Sequence, residues 1–251
     1  MHAETIFAPV VTTYITISEE PLPVSTCNPI PEPLQSTQSM PSVSNENYTL
    51  YIGDSMLSKL NPTKMSSSSQ KAFLFAYPGA TTGVILSKLK NYPTFQSLDP
   101  QKVKKIFIVS GANNVDKALK VSRRHYSDFI GMGYYRASEK CIIDAKCELT
   151  QLSEFLNLWA KSAAINILNI LPRESGSRNH VINSLNEHIN MLSIQKRFVR
   201  MVSTEKTRGL FSFRNGDRKN IYFSEQGSDN VHLNDFGLRR LAKHLKYVAH
   251  N

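Results

Sequence analysis

The chain of 251 residues is long enough to bury a full hydrophobic core, and its hydrophobic share of 41% and charged share of 20% exclude an intrinsically disordered chain. No apolar run reaches the roughly 20 residues that a membrane-spanning helix needs, and the N-terminus lacks the basic start of a secretory signal. We therefore expect an intracellular protein, cytoplasmic or nuclear. Three cysteines without CxxC spacing (Cys27, Cys141 and Cys147) argue against a disulfide framework or a zinc site.

Charge is unevenly distributed along the chain. Residues 1–48 contain five Glu and no Lys or Arg, so the remaining 203 residues hold 30 basic and 15 acidic groups, a balance of +15. A basic body of this kind favours a polyanionic partner, such as nucleic acid or an anionic membrane surface. A solvated surface that is simply rich in lysine is the alternative. Composition does not predict the oligomeric state.

The first 46 residues differ in composition from the rest. Residues 9–44 carry seven of the 12 prolines, among many Ser and Thr. Such a segment buries too little apolar surface to offset the entropy of ordering it. We expect residues 1–46 to be an acidic tail or linker and residues 47–251 to form the folded domain.

Strand-like and helix-like segments alternate from residue 48 onwards. Five largely apolar segments read as strands, and long continuous apolar strands are typical of a parallel sheet that is covered on both faces: residues 48–52, 71–77, 104–110, 165–171 and 197–202. Four segments read as helices: residues 80–89, 144–161, 181–194 and 235–248. This alternation predicts an α/β fold, a doubly wound three-layer sandwich around a central, mostly parallel five-stranded sheet.

The carboxyl ends of the strands are where such a sheet binds ligands. Gly53-Asp54-Ser55 follows the first strand, ahead of a helix-like segment, and His232 stands just before the last helix. Ser55 is the candidate nucleophile, His232 the base that removes its proton, and Asp229 the carboxylate that orients the histidine ring. An ordinary helix N-cap is the competing interpretation of Ser55.

Attack by a serine also creates an oxyanion, which needs preplaced hydrogen-bond donors. The backbone N–H groups of Ser55 and Gly79 and the side-chain amide of Asn113 are the candidates, since Gly79 follows the second strand and Asn113 the third. We expect a glycine at position 79 because a close backbone approach tolerates no side chain. His125, His180, His188 and His244 show no metal-ligand spacing, and this chemistry requires neither a metal nor another cofactor.

Four sequence blocks together resemble the SGNH hydrolase superfamily, also called GDSL esterases. They are GDS at 53–55, the glycine at 79, GxN at 111–113 and DxxH at 229–232. The resemblance implies a flavodoxin-like fold and hydrolysis of a small ester or acylated substrate, with short acyl groups such as acetyl, by a serine esterase or deacylase. Family members commonly carry Asp where this chain has Asn114. Asp54, Asn114 and Arg173 are candidate substrate-side residues, although an arginine such as Arg173 can also cap a surface turn.

A narrower resemblance rests on the stretches YIGDSM, YPGATT and SLNEHIN and on the Leu-Pro-Arg element that contains Arg173. These look like the esterase domains in the first open reading frame of some LINE-type retrotransposons and in related viral proteins. This resemblance raises an alternative function: a module that keeps the fold and binds nucleic acid or membrane through its basic body.

The segment of residues 121–140 mixes basic and aromatic side chains and contains Gly131 and Gly133. Three interpretations stay open for it. It is a surface that holds single-stranded nucleic acid by charge and stacking, a lid over an acyl pocket, or a partly packed surface loop.

Overall fold

The computed structural model describes residues 46–126, 132–171, 176–204 and 232–250. Five strands form one sheet: β1 (Asn47–Gly53), β2 (Gln70–Ala76), β3 (Val103–Val109), β4 (Ala164–Leu168) and β5 (Val199–Val202). Their order is β2-β1-β3-β4-β5, and every pairing is parallel. The predicted α/β fold class is therefore confirmed. The predicted tail lies outside the described residues, except for Glu46.

Helices cover both faces of the sheet. They are α1 (Pro62–Met65), α2 (Thr82–Asn91), α3 (Pro93–Gln96), α4 (Ala112–Tyr126), α5 (Met132–Trp159), α6 (Gly176–Gln195) and α7 (Asp235–His250). Leu50 and Ile52 of β1 face a core shared with α2, α4, α5 and α6, whereas Tyr51 between them faces a second core beneath α7. Side chains alternate along a strand, so β1 contributes to both cores. None of the described helices, including the 28 residues of α5, has the apolar stretch that crossing a membrane requires.

The segment after β1 differs from the helix that the sequence suggests. Residues 55–59 form successive turns, in which Leu57 N donates to Asp54 O and Ser58 N donates to Ser55 O. A helix begins only at Pro62, where the Asn61 side chain accepts from two backbone N–H groups of α1. The residue before a proline disfavours helical angles, so a helix starting at Ser55 could not run through Asn61 into α1.

The segment of residues 121–140 is helical wherever it is described. It contains the end of α4 and the start of α5, which begins at Met132 rather than at Asp144. The surface-loop interpretation is therefore wrong for residues 121–126 and 132–140, and residues 127–131 lie outside the described ranges. Gly133 lies inside α5, although glycine disfavours the interior of a helix.

Strand β4 ends at Leu168, three residues before its predicted end. Beyond it, the Asn186 side chain of α6 accepts from Ile170 N at 2.7 Å and donates to Ile170 O at 3.0 Å. The Asn186 side chain thus forms the two hydrogen bonds that a neighbouring strand would form with Ile170. The backbone N–H and C=O groups of Ile170 therefore stay paired where the chain leaves the sheet.

Candidate active site

The candidate site lies where the strand order reverses. The chain goes from β1 to β2 on one side and then to β3 on the other side of β1, and the segments that follow β1 and β3 pack on opposite faces of the sheet. Doubly wound sheets bind ligands at this switch point. Ser55 follows β1, Gly79 follows β2 and Asn113 follows β3, which places all three at the same edge.

A buried carboxylate supports the turn that carries Ser55. Asp54 is fully buried, and its Oδ1 accepts from Met56 N at 3.1 Å, while its own N–H donates to Val109 O at 3.2 Å. Ser58 Oγ donates to Ser55 O at 2.7 Å, and Ser55 itself is partly exposed. The expectation that Asp54 is a substrate-side residue is corrected, because its side chain is enclosed and bonds to the turn.

Gly53 allows this turn to start against the neighbouring strand. A Cβ atom at this position would lie 2.1 Å from Val109 O, much closer than any real contact. The same carbonyl oxygen accepts the hydrogen bond from Asp54 N. The first residue of the Gly-Asp-Ser motif is thus required by the close approach of β1 to β3.

The predicted nucleophile and base lie within hydrogen-bonding distance. His232 Nε2 is 3.2 Å from Ser55 Oγ, although 177 positions separate them in the sequence. Leu233 beside the histidine is buried, and Asn234 Oδ1 accepts from Gly237 N at 2.9 Å at the start of α7. These contacts hold the exposed His232 close to Ser55. Asp229, the predicted orienting carboxylate, lies outside the described residues.

Two backbone N–H groups at the site have no hydrogen bond. In the part of the chain that the structure describes, neither Ser55 N nor Gly79 N donates to any acceptor. Gly79 has a φ of +74°, and a Cβ there would meet nothing within 4 Å. A left-handed backbone therefore favours glycine here, and the close approach of an oxyanion to this backbone stays a prediction.

Asn113 faces the loop that contains Gly79. It lies in the first turn of α4, and its Nδ2 donates to Ala80 O at 3.1 Å. Because an amide nitrogen carries two hydrogens, this bond leaves one for a second acceptor. The bond also ties the loop after β3 to the loop after β2, which fixes two of the three predicted oxyanion donors relative to each other.

Asn114 connects three elements beneath these donors. Its Oδ1 accepts from Thr82 N at 2.9 Å and Thr82 Oγ1 at 3.0 Å, and its Nδ2 donates to Glu148 Oε2 at 2.7 Å. Glu148 of α5 also accepts from Gly83 N at 2.9 Å, in the first turn of α2. Since Asn114 is buried, its expected role as a substrate-side residue is corrected to a structural one.

Sequence reasoning missed Glu148 and Thr82. Glu148 lies 34 positions from Asn114 and 65 from Gly83, so no local pattern links them. The one hint of Glu148 in the sequence is its position directly before Leu149, where the apolar stripe of α5 begins. Arg173, the remaining predicted substrate-side residue, lies outside the described ranges.

A buried phenol also lies near this edge. Tyr77 directly follows β2, and burial, with a smaller contribution from Tyr92, raises the pKa of its phenol to about 12. The phenol is therefore neutral near pH 7 and cannot act as a base. Within the described ranges, no group of three or more His, Cys, Asp or Glu side chains is arranged to hold a metal ion.

Comparison with known proteins gives similarity in structure only. No family model and no curated protein sequence matches the chain. A lipase from a goat rumen metagenome matches with a TM-score of 0.59 and 17% identity, over 80% of this chain and 96% of the lipase. A GDSL-like lipase from Bacteroides thetaiotaomicron matches with a TM-score of 0.55 and 14% identity, over 83% of this chain and 90% of its own.

A third similar structure is the C-terminal catalytic domain of peptidoglycan O-acetyltransferase A from Streptococcus pneumoniae. Its TM-score is 0.50 and its identity 14%, over 82% of this chain and 93% of that domain. At these identities the likeness concerns the fold. The five-stranded parallel sheet with helices on both faces is thus the α/β fold of the SGNH hydrolases.

Proposed function

We propose that the protein is a serine ester hydrolase, an esterase or deacylase that works through an acyl-enzyme on Ser55. The observation that carries the proposal is the 3.2 Å separation of His232 Nε2 and Ser55 Oγ at the switch point of the sheet. The two uncommitted N–H groups of Ser55 and Gly79 and the amide of Asn113 support it, because they lie on loops at the same edge.

The first half of the reaction forms the acyl-enzyme. His232 Nε2 accepts the proton of Ser55 Oγ, and this oxygen attacks the carbonyl carbon of the ester. The carbonyl oxygen becomes an oxyanion that accepts hydrogen bonds from Ser55 N, Gly79 N and Asn113 Nδ2. As the tetrahedral intermediate collapses, the C–O bond to the alcohol breaks and the imidazolium of His232 gives its proton to the leaving oxygen.

The second half repeats these steps with water. His232 takes a proton from a water molecule, which attacks the acyl carbon and releases the acid, and the proton returns to Ser55 Oγ. Asp229, three residues before His232, is the group that we assign to orient the ring and stabilise the imidazolium. No cofactor takes part in any of these steps.

The proposed substrates are small esters or acylated molecules with short acyl groups such as acetyl. Structural similarity to lipases and to an O-acetyltransferase domain supports acyl chemistry in general. The resemblance to LINE-type retrotransposon and viral esterase domains, and binding of nucleic acid or membrane by the basic body, remain predictions from the sequence.

The proposal is tested by hydrolysis of p-nitrophenyl acetate and p-nitrophenyl butyrate. Replacing either Ser55 or His232 by Ala should lower kcat by roughly a thousandfold or more. Removing one member of a catalytic unit costs about as much activity as removing all of its members. Ser87→Ala and His180→Ala are matched controls, because both side chains are exposed on other helices, and they should retain wild-type turnover. Wild-type kcat in Ser55→Ala would refute the proposal.

A further inference from the structure

A cavity of about 490 Å³ lies beside the predicted catalytic histidine. Its lining includes Lys59, His232, Leu233, Asn234, Asp235, Phe236 and Arg239. Lys59 stands on the turn that carries Ser55, and Arg239 lies in the second turn of α7. The cavity therefore joins the nucleophile's turn to the helix that follows His232.

The proposed reaction determines which part of the substrate this cavity receives. In acyl transfer to serine, the leaving alcohol oxygen must take its proton from the imidazolium, so the alcohol portion departs on the side of the histidine. The cavity that His232 lines is on that side. The inference below rests on the proposed function and assigns this cavity to the alcohol portion of the ester.

The charges on the described lining residues are predominantly positive. Lys59 and Arg239 are exposed, and neither forms an ion pair with a carboxylate in the described part of the chain. Among the described lining residues the one carboxylate is Asp235, in the first turn of α7, where the helix dipole favours a negative charge. Two cations from separate elements thus face the same space without a partner.

We propose that the natural ester carries a phosphate group on its alcohol portion, bound by Lys59 and Arg239. A guanidinium binds two phosphate oxygens side by side, and an ammonium adds a mobile point charge. The exposed ring of Phe236 at the same cavity offers an apolar surface to the carbon atoms next to the phosphate. The phosphate belongs either to a small soluble ester or to a lipid headgroup.

The test compares matched esters that differ by the phosphate alone. The soluble pair is acetylglycerol phosphate and acetylglycerol, and the lipid pair is dioctanoyl phosphatidic acid and dioctanoylglycerol in micelles of an uncharged detergent. Release of acid gives kcat/KM for each ester. We expect the wild type to prefer the phosphorylated member of at least one pair, and the preference to shrink as added salt screens the charges.

Two double variants examine the source of this preference. In Lys59→Gln/Arg239→Gln, the ratio of kcat/KM for phosphorylated to neutral ester should fall by about tenfold, because two partly exposed ionic contacts are lost. Lys64→Gln/Lys243→Gln removes the same charge from exposed positions outside the cavity lining and should leave the ratio unchanged.

The outcomes separate this inference from the proposed function. Preference in the soluble pair identifies a small phosphate ester, and preference in the micelles alone identifies a lipid headgroup; both support the inference. Equal kcat/KM within both pairs, with Ser55-dependent hydrolysis of p-nitrophenyl acetate, overturns the inference and leaves the proposed function standing. A preference that survives in Lys59→Gln/Arg239→Gln also overturns it. No Ser55-dependent hydrolysis of any ester would remove both proposals.

Discussion

Asn114 stands where the SGNH hydrolases that the sequence resembles commonly carry aspartate, and its neighbours explain the amide. Its Nδ2 lies 2.7 Å from the carboxylate of Glu148, so this side chain must donate a hydrogen bond. An aspartate cannot donate one unless it is protonated, whereas asparagine donates with its nitrogen and accepts with its oxygen. The carboxylate that supports this loop therefore comes from α5 rather than from position 114.

This arrangement predicts the effect of an aspartate at position 114. Asn114→Asp places two carboxylate oxygens about 2.7 Å apart in a buried site, where like charges repel strongly. We expect the free energy of unfolding to fall by about 1–3 kcal/mol, because a buried hydrogen bond is lost and repulsion replaces it. Urea denaturation measures this loss.

A double-mutant cycle provides the control. In Asn114→Asp/Glu148→Gln the glutamine amide can donate to the aspartate, so the pair should recover part of the lost stability. Glu148→Gln alone can keep an amide oxygen where Oε2 accepts from Asn114 Nδ2 and Gly83 N, so it should cost less stability than Asn114→Asp. Purely additive losses in the double variant would show that the two side chains do not interact as described.

At the scale of elements, the contact between β1 and β3 determines how the site begins. Gly53 pairs with Val109 at the end of both strands, and a Cβ there would overlap Val109 O. The same methyl group at Gly79 would meet nothing within 4 Å. These two glycines are therefore needed for different reasons, one steric and one conformational.

A pair of identical substitutions tests this difference. Gly53→Ala should lower the free energy of unfolding by about 3 kcal/mol or more, because a backbone carbonyl cannot move aside as a flexible side chain can. Gly79→Ala should cost only about 1 kcal/mol, the price of a left-handed conformation for alanine. The measurement is urea denaturation of both variants, and equal losses would contradict the proposed distinction.

Helix α7 is held at both ends, which bears on the position of His232. At its start, Asn234 O accepts from Leu238 N at 2.9 Å. At its end, Lys105 of β3 donates to Val248 O at 3.2 Å and Ala249 O at 2.7 Å. Burial, with repulsion from Arg200, lowers the pKa of Lys105, yet the favourable helix dipole opposes loss of its charge. Lys105 lies near the amino end of β3, so this contact fixes the end of α7 at the sheet edge opposite Ser55, while the start of α7 lies beside His232.

At the scale of the whole molecule, the sheet topology explains why the sequence predicts much of the site. The carboxyl ends of parallel strands share one edge, so segments that follow strands must meet there even when they are far apart in sequence. Ser55, Gly79 and Asn113 could therefore be assigned from strand ends alone. His232 could be assigned from its place before α7 and from its spacing to Asp229.

The remaining features depend on packing between elements that no local pattern connects. Glu148 meets Asn114 because α5 crosses the start of α2, and Lys59 shares a cavity with Arg239 because α7 packs beside the Ser55 turn. The sequence also did not predict that α5 begins at Met132. Residues 121–140, with Gly133 and several aromatic residues, show no clear helical spacing of apolar residues. Tertiary contacts decide such cases over propensity.

Covalent labelling tests most directly whether Ser55 is the nucleophile. Incubation with diisopropyl fluorophosphate, followed by intact mass and peptide fragmentation, reports which side chain forms the adduct. We predict one adduct on Ser55, none in Ser55→Ala, and much slower labelling in His232→Ala because the proton acceptor is missing. A wild-type protein that stays unlabelled, or an adduct that persists in Ser55→Ala, would contradict the assignment.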